Sequence, residues 1–386
     1  MAKKGAIIIE GHVQGLANTR ALGEVGIPVI VVDARPCVAS ASKFCMDFFI
    51  SPPFLDDAFA DFLLELGMEK QLEGWLLIPS NDHVVFTLSK HKDKLQQLFR
   101  FAIPSPKELD NIYDKVKLLD IAKELSIPIP ITHCFQEVNE AIPRDMDFPL
   151  ITKGKNGLSF YKTMGKKAFL AENESEFVEQ RQEITEKYLL SSTFTQELIP
   201  FDGSNKTLSF TAFCVEGKVE AYWMGIKLRE HPLQFGTATF TESVFVEDCL
   251  IQSCQLLKEL QYTGICEVEY LQDPRNGQYK LIEINPRTWL WVGHAIASGI
   301  NLPLYLYNYV NGIETEYPKD YPIGLKWKNP ISDAVFSFLA LIKCHVSLST
   351  WAMQNKGEVV NALWYKGDLK PFFKYGVLML NFIKNR

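Results

Sequence analysis

The stretch "GICEVEYLQDPRNGQYKLIEINPR", residues 264–287, decides how the rest of the chain is read. Two runs of alternating apolar residues flank a turn around Pro274 to Gly277, the pattern of a β-hairpin. Side chains two apart on a strand share a face, so Glu283 and Asn285 point together, as do Glu267 and Glu269 on the partner strand. A register that sets Glu269 opposite them gathers three oxygen ligands on one side. Carboxylates and an amide, with no Cys or His among them, suit magnesium better than zinc, and magnesium completes its shell with waters and substrate phosphates. A metal held this way needs a nucleotide beside it. Arg287, two residues past Asn285, is placed to meet phosphate oxygens in a bidentate fork. Taken alone, the pattern fits equally a solvated hairpin face with an incidental arginine.

Working outward, "KGAIIIEG" (4–11) is a compact apolar run bounded by glycines, as in a buried parallel strand. "VQGLANTRALGEVG" reads as a helix ending at Gly26 and "IPVIVVDA" as the next strand, a βαβ opening. The glycines of "EGHVQG" lack the tight Gly-x-Gly step of a dinucleotide fingerprint, which argues against a nicotinamide or flavin cofactor. Further helices over 56–71 and 82–99 enclose the strand "GWLLIPS" (74–80) and complete a small doubly wound domain to about residue 105. "FAIPSPKELDNIYD" leads out of it, and "DKVKLLDIAKELSIPIP" is a helix that stops before Pro128. From residue 148 the texture turns to strands. "FPLITKGKNG" is a strand entering a glycine and lysine loop, and "LSFTAFCVEGKVEAYWMGIKL" is a hairpin with its turn at Glu216-Gly217. A helix follows over 243–264, then the hairpin. The last seventy residues have no legible order.

The chain has 386 residues, a net charge of -6 and 47% hydrophobic residues, enough for two or three cores. An acidic total with scattered Lys and Arg argues against nucleic-acid binding. The eight cysteines form no CxxC pair, so they read as mostly buried thiols of a cytoplasmic protein. No apolar run is long enough to span a membrane. Residues 371–386, "PFFKYGVLMLNFIKNR", are apolar with basic ends: either a terminal helix docked on the body or a second subunit, or a peripheral contact with an anionic membrane. A homodimer is the default assembly.

Several segments together resemble the ATP-grasp carboxylate-amine ligases, in the group that includes D-aspartate ligase: "VQGLANTRALGEVGIPVIVVD", "IPSNDHVV", "YDKVKLLDIAKELSIPIP", "FPLITKG", "TQELIP", "GIKLREHPLQFGTAT" and the hairpin ending "INPR". The resemblance implies an α/β protein, an ATP-grasp fold preceded by a small doubly wound Rossmann-like (pre-ATP-grasp) domain. The divisions implied are 1–105, 106–315 with a mobile lid at about 150–200, and a C-terminal extension 316–386. Lys115 and Lys153 match the lysines that hold ATP phosphates, with Gly154 and Gly157 letting the loop approach closely. Glu197, Leu198 and Ile199 match the strand that meets the adenine. Glu269, Glu283 and Asn285 match the ligands of magnesium (or manganese), and Arg287 matches the arginine that steadies the transferred phosphoryl group. Lys227 and Arg229 match a basic pair near phosphate or acceptor carboxylate. Two departures stand out: the loop "KGKNGLSF" is poor in glycine and adds Lys155, and Ile226 stands where many relatives have arginine.

The implied activity joins a small carboxylate to an amine through an acyl phosphate, releasing ADP and phosphate. A grasp-fold kinase or carboxylase-like enzyme with another acceptor, and a non-catalytic ATP-binding sensor or scaffold, are the alternatives. Asp82 reads as a helix cap or an acceptor contact, His294 as structural or substrate-facing, and Trp289 and Trp291 as pocket wall or core.

Overall fold

The computed structural model describes residues 4–200, 205–231, 236–342, 351–352 and 354–384. Parts of "TQELIPFDG" and "GIKLREHPLQFGTAT", and Cys344, lie outside these residues. The described residues form three sheets within two compact units, one of 1–106, 208–267 and 285–386, the other of 107–207 and 268–284.

The first unit opens with a parallel sheet of β1 (Ala6–Ile9), β2 (Val29–Asp33), β3 (Cys45–Ile50) and β4 (Leu76–Pro79), in the order β3-β2-β1-β4. β1, β2 and β4 are buried along their whole length, which is why they appear in the sequence as unbroken apolar runs. β3 is an edge strand with Met46 and Ile50 exposed, and its mixed pattern hides it from a periodicity reading. Helices Val13–Gly23, Ala58–Glu69 and Asp82–Lys90 complete this part, the first stopping three residues before the Gly26 that the sequence suggested. Strand order reverses between β1 and β4, and Ile9 pairs with Pro79, so their carboxyl ends are level. A crevice outside such a switch point is the usual ligand position in open α/β sheets.

The second unit contains β5 (Thr132–His133), β6 (Leu150–Gly154), β7 (Phe169–Ala171) and β8 (Thr193–Glu197), an antiparallel sheet ordered β5-β8-β6-β7. Phe135, Leu150, Phe160, Phe169, Phe177 and Ile184 form its core. The loop after Lys153 is shorter than the sequence suggests, because a helix begins at Gly157, with the Asn156 side chain accepting the Ser159 N–H at 3.0 Å.

The largest sheet has seven strands: β9 (Thr207–Val215), β10 (Lys218–His231), β11 (Thr237–Ser243), β12 (Gly264–Gln272), β13 (Tyr279–Asn285), β14 (Lys326–Lys328) and β15 (Val359–Asn361). Its order is β13-β12-β9-β10-β11-β14-β15, and β12 and β13 contribute residues to both units. The turn between β9 and β10 has φ of 49° at Glu216 and 80° at Gly217, the pair of positive angles that a tight two-residue hairpin needs. The C-terminal residues add β14 antiparallel to β11 and β15 parallel to β14, so they complete this sheet at its far edge. Trp223, Trp289, Trp291 and Trp327 are buried in the first unit's core, with Trp223 stacked on Trp289 at 6.4 Å, so Trp289 and Trp291 are core residues. The described cysteines are all free, with Cys37, Cys214, Cys249 and Cys266 buried. No helix among the described residues is long and apolar enough to cross a membrane.

Candidate nucleotide and acyl-transfer site

In the second unit, Lys115 begins the helix Lys115–Glu124, whose first turn is capped by Asp114: its Oδ1 accepts from Val116 N at 3.0 Å. Lys153 lies on β6 opposite Phe194. Lys115 Nζ sits 2.5 Å from Glu283 Oε2 on β13. Burial, then the neighbouring Lys115 ammonium, push the Lys153 pKa down to about 8, against the opposing pull of Glu283. Two ammonium groups held this close repel each other, and a polyanion bound beside them relieves the repulsion. The loop after Lys153 is tied to the same place by a hydrogen bond from Lys115 N to Lys155 O, 3.3 Å.

The glycines next to Lys153 divide by role. A Cβ on Gly154 would lie 2.2 Å from Phe160 Cβ, so this glycine lets the strand pack on its own following helix. A Cβ on Gly157 would meet nothing within 4 Å, which leaves that position open to an approaching ligand.

Glu197 ends β8 as the hub of a buried network. Its Oε1 accepts from Lys280 Nζ (2.6 Å) and Ile131 N (3.1 Å), and its Oε2 from Arg275 Nη2 (2.8 Å). Burial alone would raise its pKa, but these donors outweigh it and hold the carboxylate below its ordinary value. Asp273 joins through Lys280 at 3.0 Å and Arg275, whose bond drives Asp273 far below the usual carboxylate range. The network fixes the segment Glu197–Ile199. Leu198 N donates to Pro149 O at 3.0 Å, and Ile199 is buried.

In the first unit, Asn285 ends β13 with its amide oriented by neighbours. Its Nδ2 donates to Glu267 Oε2 at 3.0 Å, and Ser209 Oγ donates to Glu267 Oε1 at 2.7 Å. Its Oδ1 accepts from Arg287 Nη2 at 3.2 Å. Glu267 is therefore the buried carboxylate that holds Asn285, a role the alternating pattern around Glu269 concealed. Glu269 itself is half-buried on β12, two residues along on the same face as Glu267.

Arg287 grips Asp82 in a two-pronged pair, Nε to Oδ1 and Nη2 to Oδ2, both 2.9 Å. The cap of the helix that Asp82 begins is Asn81, which accepts from Val84 N at 2.9 Å. Capping by Asp82, one of its two expected roles, is thereby corrected. Thr288 anchors the same loop, accepting from Asn18 Nδ2 at 3.0 Å.

Glu10, which sequence reading passed over, completes this region. It follows β1 in a left-handed conformation, φ 72°, uncommon for a residue with a side chain. Burial pushes its pKa up to about 7; Asp33 adds to the rise, while Asn81, Arg287 and Gln14 oppose it. A carboxyl whose pKa is higher folded than unfolded favours folding most below the unfolded value, and that contribution disappears as pH rises through the folded one. Glu10→Gln is therefore expected to gain stability relative to the parent as pH rises from about 4.5 through about 7, approaching ~3 kcal/mol at pH 8. Thermal melts of both proteins across that range check this, and a pH-independent difference would contradict it.

The basic pair on β10 is placed differently from the expectation. Arg229 is buried in a fork with Asp333, Nε to Oδ1 and Nη2 to Oδ2 at 2.7 Å each, and its Nη1 donates to Gln354 Oε1 at 2.7 Å. Its guanidinium also lies 4.1 Å from the Phe240 ring centroid. These partners hold Arg229 in the core, whereas the resemblance implied a place beside phosphate or acceptor carboxylate. Lys227 faces Glu230 Oε2 at 3.9 Å. His294 is structural as well, with Thr241 Oγ1 2.8 Å from Nδ1 and Leu325 O 3.0 Å from Nε2. Burial pushes its pKa down to about 3, so it stays neutral.

Among the described residues, no three Asp, Glu, His or Cys side chains are grouped so as to hold a metal by themselves. Carboxylate oxygens such as those of Glu269 and Glu283 in the second unit suit an ion that takes its remaining oxygens from phosphates and water.

A small parallel α/β sheet followed by the two further sheets is the architecture of the ATP-grasp fold, and the chain has that fold. A family model described as the carbamoyl-phosphate synthase L chain, ATP binding domain, matches residues 239–305. The D-aspartate ligase of Enterococcus faecium (strain Aus0004) is 26% identical over 266 residues, covering 65% of this chain and 63% of that protein, so the chain matches less than two thirds of this relative's length. Among solved structures, N5-carboxyaminoimidazole synthetase from Staphylococcus aureus gives a TM-score of 0.62 at 16% identity over 83% of this chain and 80% of its own. The biotin carboxylase domain of Hydrogenobacter thermophilus 2-oxoglutarate carboxylase, solved with MgADP and bicarbonate, gives 0.64 at 15% over 84% and 74%. L-amino acid ligase from Bacillus licheniformis gives 0.58 at 16% over 80% and 74%. At these identities the structural likeness speaks to the fold.

Proposed function

We propose that the protein is an ATP- and magnesium-dependent ligase that joins a small carboxylate, of the amino-acid class, to an amine through an acyl phosphate, releasing ADP and phosphate. The observation that carries the reading is the gathering of Lys115 and Lys153 at Glu283. Bound ATP with its magnesium supplies the phosphoryl group that activates the carboxylate. Lys115 and Lys153 neutralise phosphate oxygens, and the segment Glu197–Ile199 meets the adenine. Glu269, Glu283 and Asn285 hold the ion, with Glu267 keeping the Asn285 amide in place. Arg287, held by Asp82, presents a guanidinium of fixed orientation to the charge that develops on transfer. Glu10, with its pKa near 7, is suited to take a proton from an incoming ammonium, since the nucleophile must attack as the free amine. D-Aspartate is the first carboxylate or amine to test, on the strength of the relative in Enterococcus faecium. The apolar, buried Ile226 in place of the usual arginine favours a less acidic acceptor.

The test is calorimetric titration of magnesium and ATP into the protein over a pH series. Lys153 is charged below about pH 8 and neutral above it, and phosphate favours the charged form. Affinity is expected to fall by about fivefold to tenfold as pH rises through that value. In Lys153→Met the affinity is low at every pH and this limb is lost. Failure of the parent to bind ATP at any pH would overturn the proposal.

A further inference from the structure

The C-terminal helix Lys370–Lys384 packs on the helix Pro330–Ile342 through Tyr375, whose hydroxyl meets Asn329 Nδ2 at 3.0 Å and Ser332 Oγ at 2.8 Å. The side away from that contact is not polar. Phe373, Val377 and Leu380, at the i, i+4, i+7 spacing of one helix face, are 63%, 57% and 60% exposed. Phe338 and Val335 on the neighbouring helix, and Trp364 in the turn before the last one, are exposed as well. Scattered apolar residues are normal on a surface, but three large ones along one face of a helix mark a place where something binds.

The charges around the patch say what kind of partner fits. Lys366, Lys370 and Lys374 line the same segment, and Lys43 reaches it beside Gly367. From Trp364 to the end of the sequence, Lys and Arg number five and the sole acid is Asp368. Asp368 offers the surface no negative charge: it is buried, pairs with Arg20 at 2.9 Å and accepts from Ser42 Oγ and Lys43 N. A chain with net charge -6 thus carries Lys366, Lys370 and Lys374 on the segment of these exposed aromatic and aliphatic side chains. A second copy of the chain would bring the same lysines into opposition, whereas an anionic lipid surface satisfies both features at once.

We propose that the face formed by Phe373, Val377 and Leu380 with Lys366, Lys370 and Lys374 docks the protein on anionic membranes, the helix lying in the plane of the headgroups. This proposal is independent of the ligase reading. The probe is the full chain mixed with vesicles of phosphatidylcholine alone or of phosphatidylcholine with phosphatidylglycerol, followed by flotation. Binding is expected to the anionic vesicles alone and to weaken with added salt. Lys370→Gln and Lys374→Gln are each expected to reduce partitioning by about fivefold, and Val377→Glu to abolish it. The circular dichroism spectrum and melting temperature serve as the check that each variant is folded. Equal binding to both vesicle types, binding unchanged in the lysine variants, or no vesicle binding together with a dimer by ultracentrifugation that Val377→Glu dissociates, would each overturn it.

Discussion

Glu283→Gln is expected to lower ATP-dependent turnover by about 10²- to 10³-fold, the scale on which losing one charged group from a phosphoryl or acyl transfer site is felt. The carboxylate has two duties in the account. It is a ligand for magnesium, and it is the group 2.5 Å from the Lys115 ammonium. Glutamine keeps the shape and loses the charge, so fold and melting temperature should change little, Glu283 being about one third exposed. A second signature separates this from general damage. Glu283 now holds the Lys153 pKa up against burial and Lys115. Without its charge, the fall in ATP affinity should begin at lower pH than in the parent. Turnover within a few-fold of the parent, with the pH limb unmoved, would remove Glu283 from the site.

The second large effect concerns stability. Arg229→Ala strands the Asp333 carboxylate in the core, where Thr239 Oγ1 at 3.3 Å and Ser337 Oγ at 3.5 Å remain as weaker donors. Breaking a buried pair from one side costs about 3–5 kcal/mol. The double variant Arg229→Met, Asp333→Leu removes both charges and should recover most of that loss, because well-packed apolar residues replace buried pairs at little cost. Denaturant unfolding measures both, provided the transition is cooperative. Turnover then speaks to the role. A recovered double variant that works within a few-fold of the parent fits an arginine committed to Asp333. A 100-fold loss at full stability would return Arg229 to the reacting groups.

The contrast between Arg229 and Lys115 shows what the sequence could convey. Lys115, Lys153 and Glu283 are far apart in the chain, and the fold makes them neighbours. β1 and β2 were legible because a strand buried on both faces leaves an unbroken apolar run. The turn at Glu216-Gly217 was legible because its geometry demands particular residues. β3 was not, since an edge strand with half-exposed residues has no clean period. β14 and β15 are three residues each and gain their pairing from β11, about ninety residues earlier in the chain for β14, so local pattern cannot reveal them. The same holds for function. Glu10 acquires its raised pKa from burial and from Asp33, against the pull of Asn81 and Arg287, and Asp82 pairs with Arg287 while its neighbour Asn81 takes the cap. Arg229 matched the motif, but its buried partner Asp333 lies over a hundred residues away.

The central claim, that ATP activates a carboxylate for attack by an amine, has a direct isotopic test. The purified protein is supplied with magnesium, ATP, an amine pool and ¹⁸O-carboxylate amino acids, D-aspartate first, and the released phosphate and the organic products are weighed by mass spectrometry. The account predicts ADP, phosphate carrying one ¹⁸O atom per turnover, and a condensed product lighter than its two parents by one labelled water, all absent in Glu283→Gln. Unlabelled phosphate, or ADP formed without any condensed product, would contradict it.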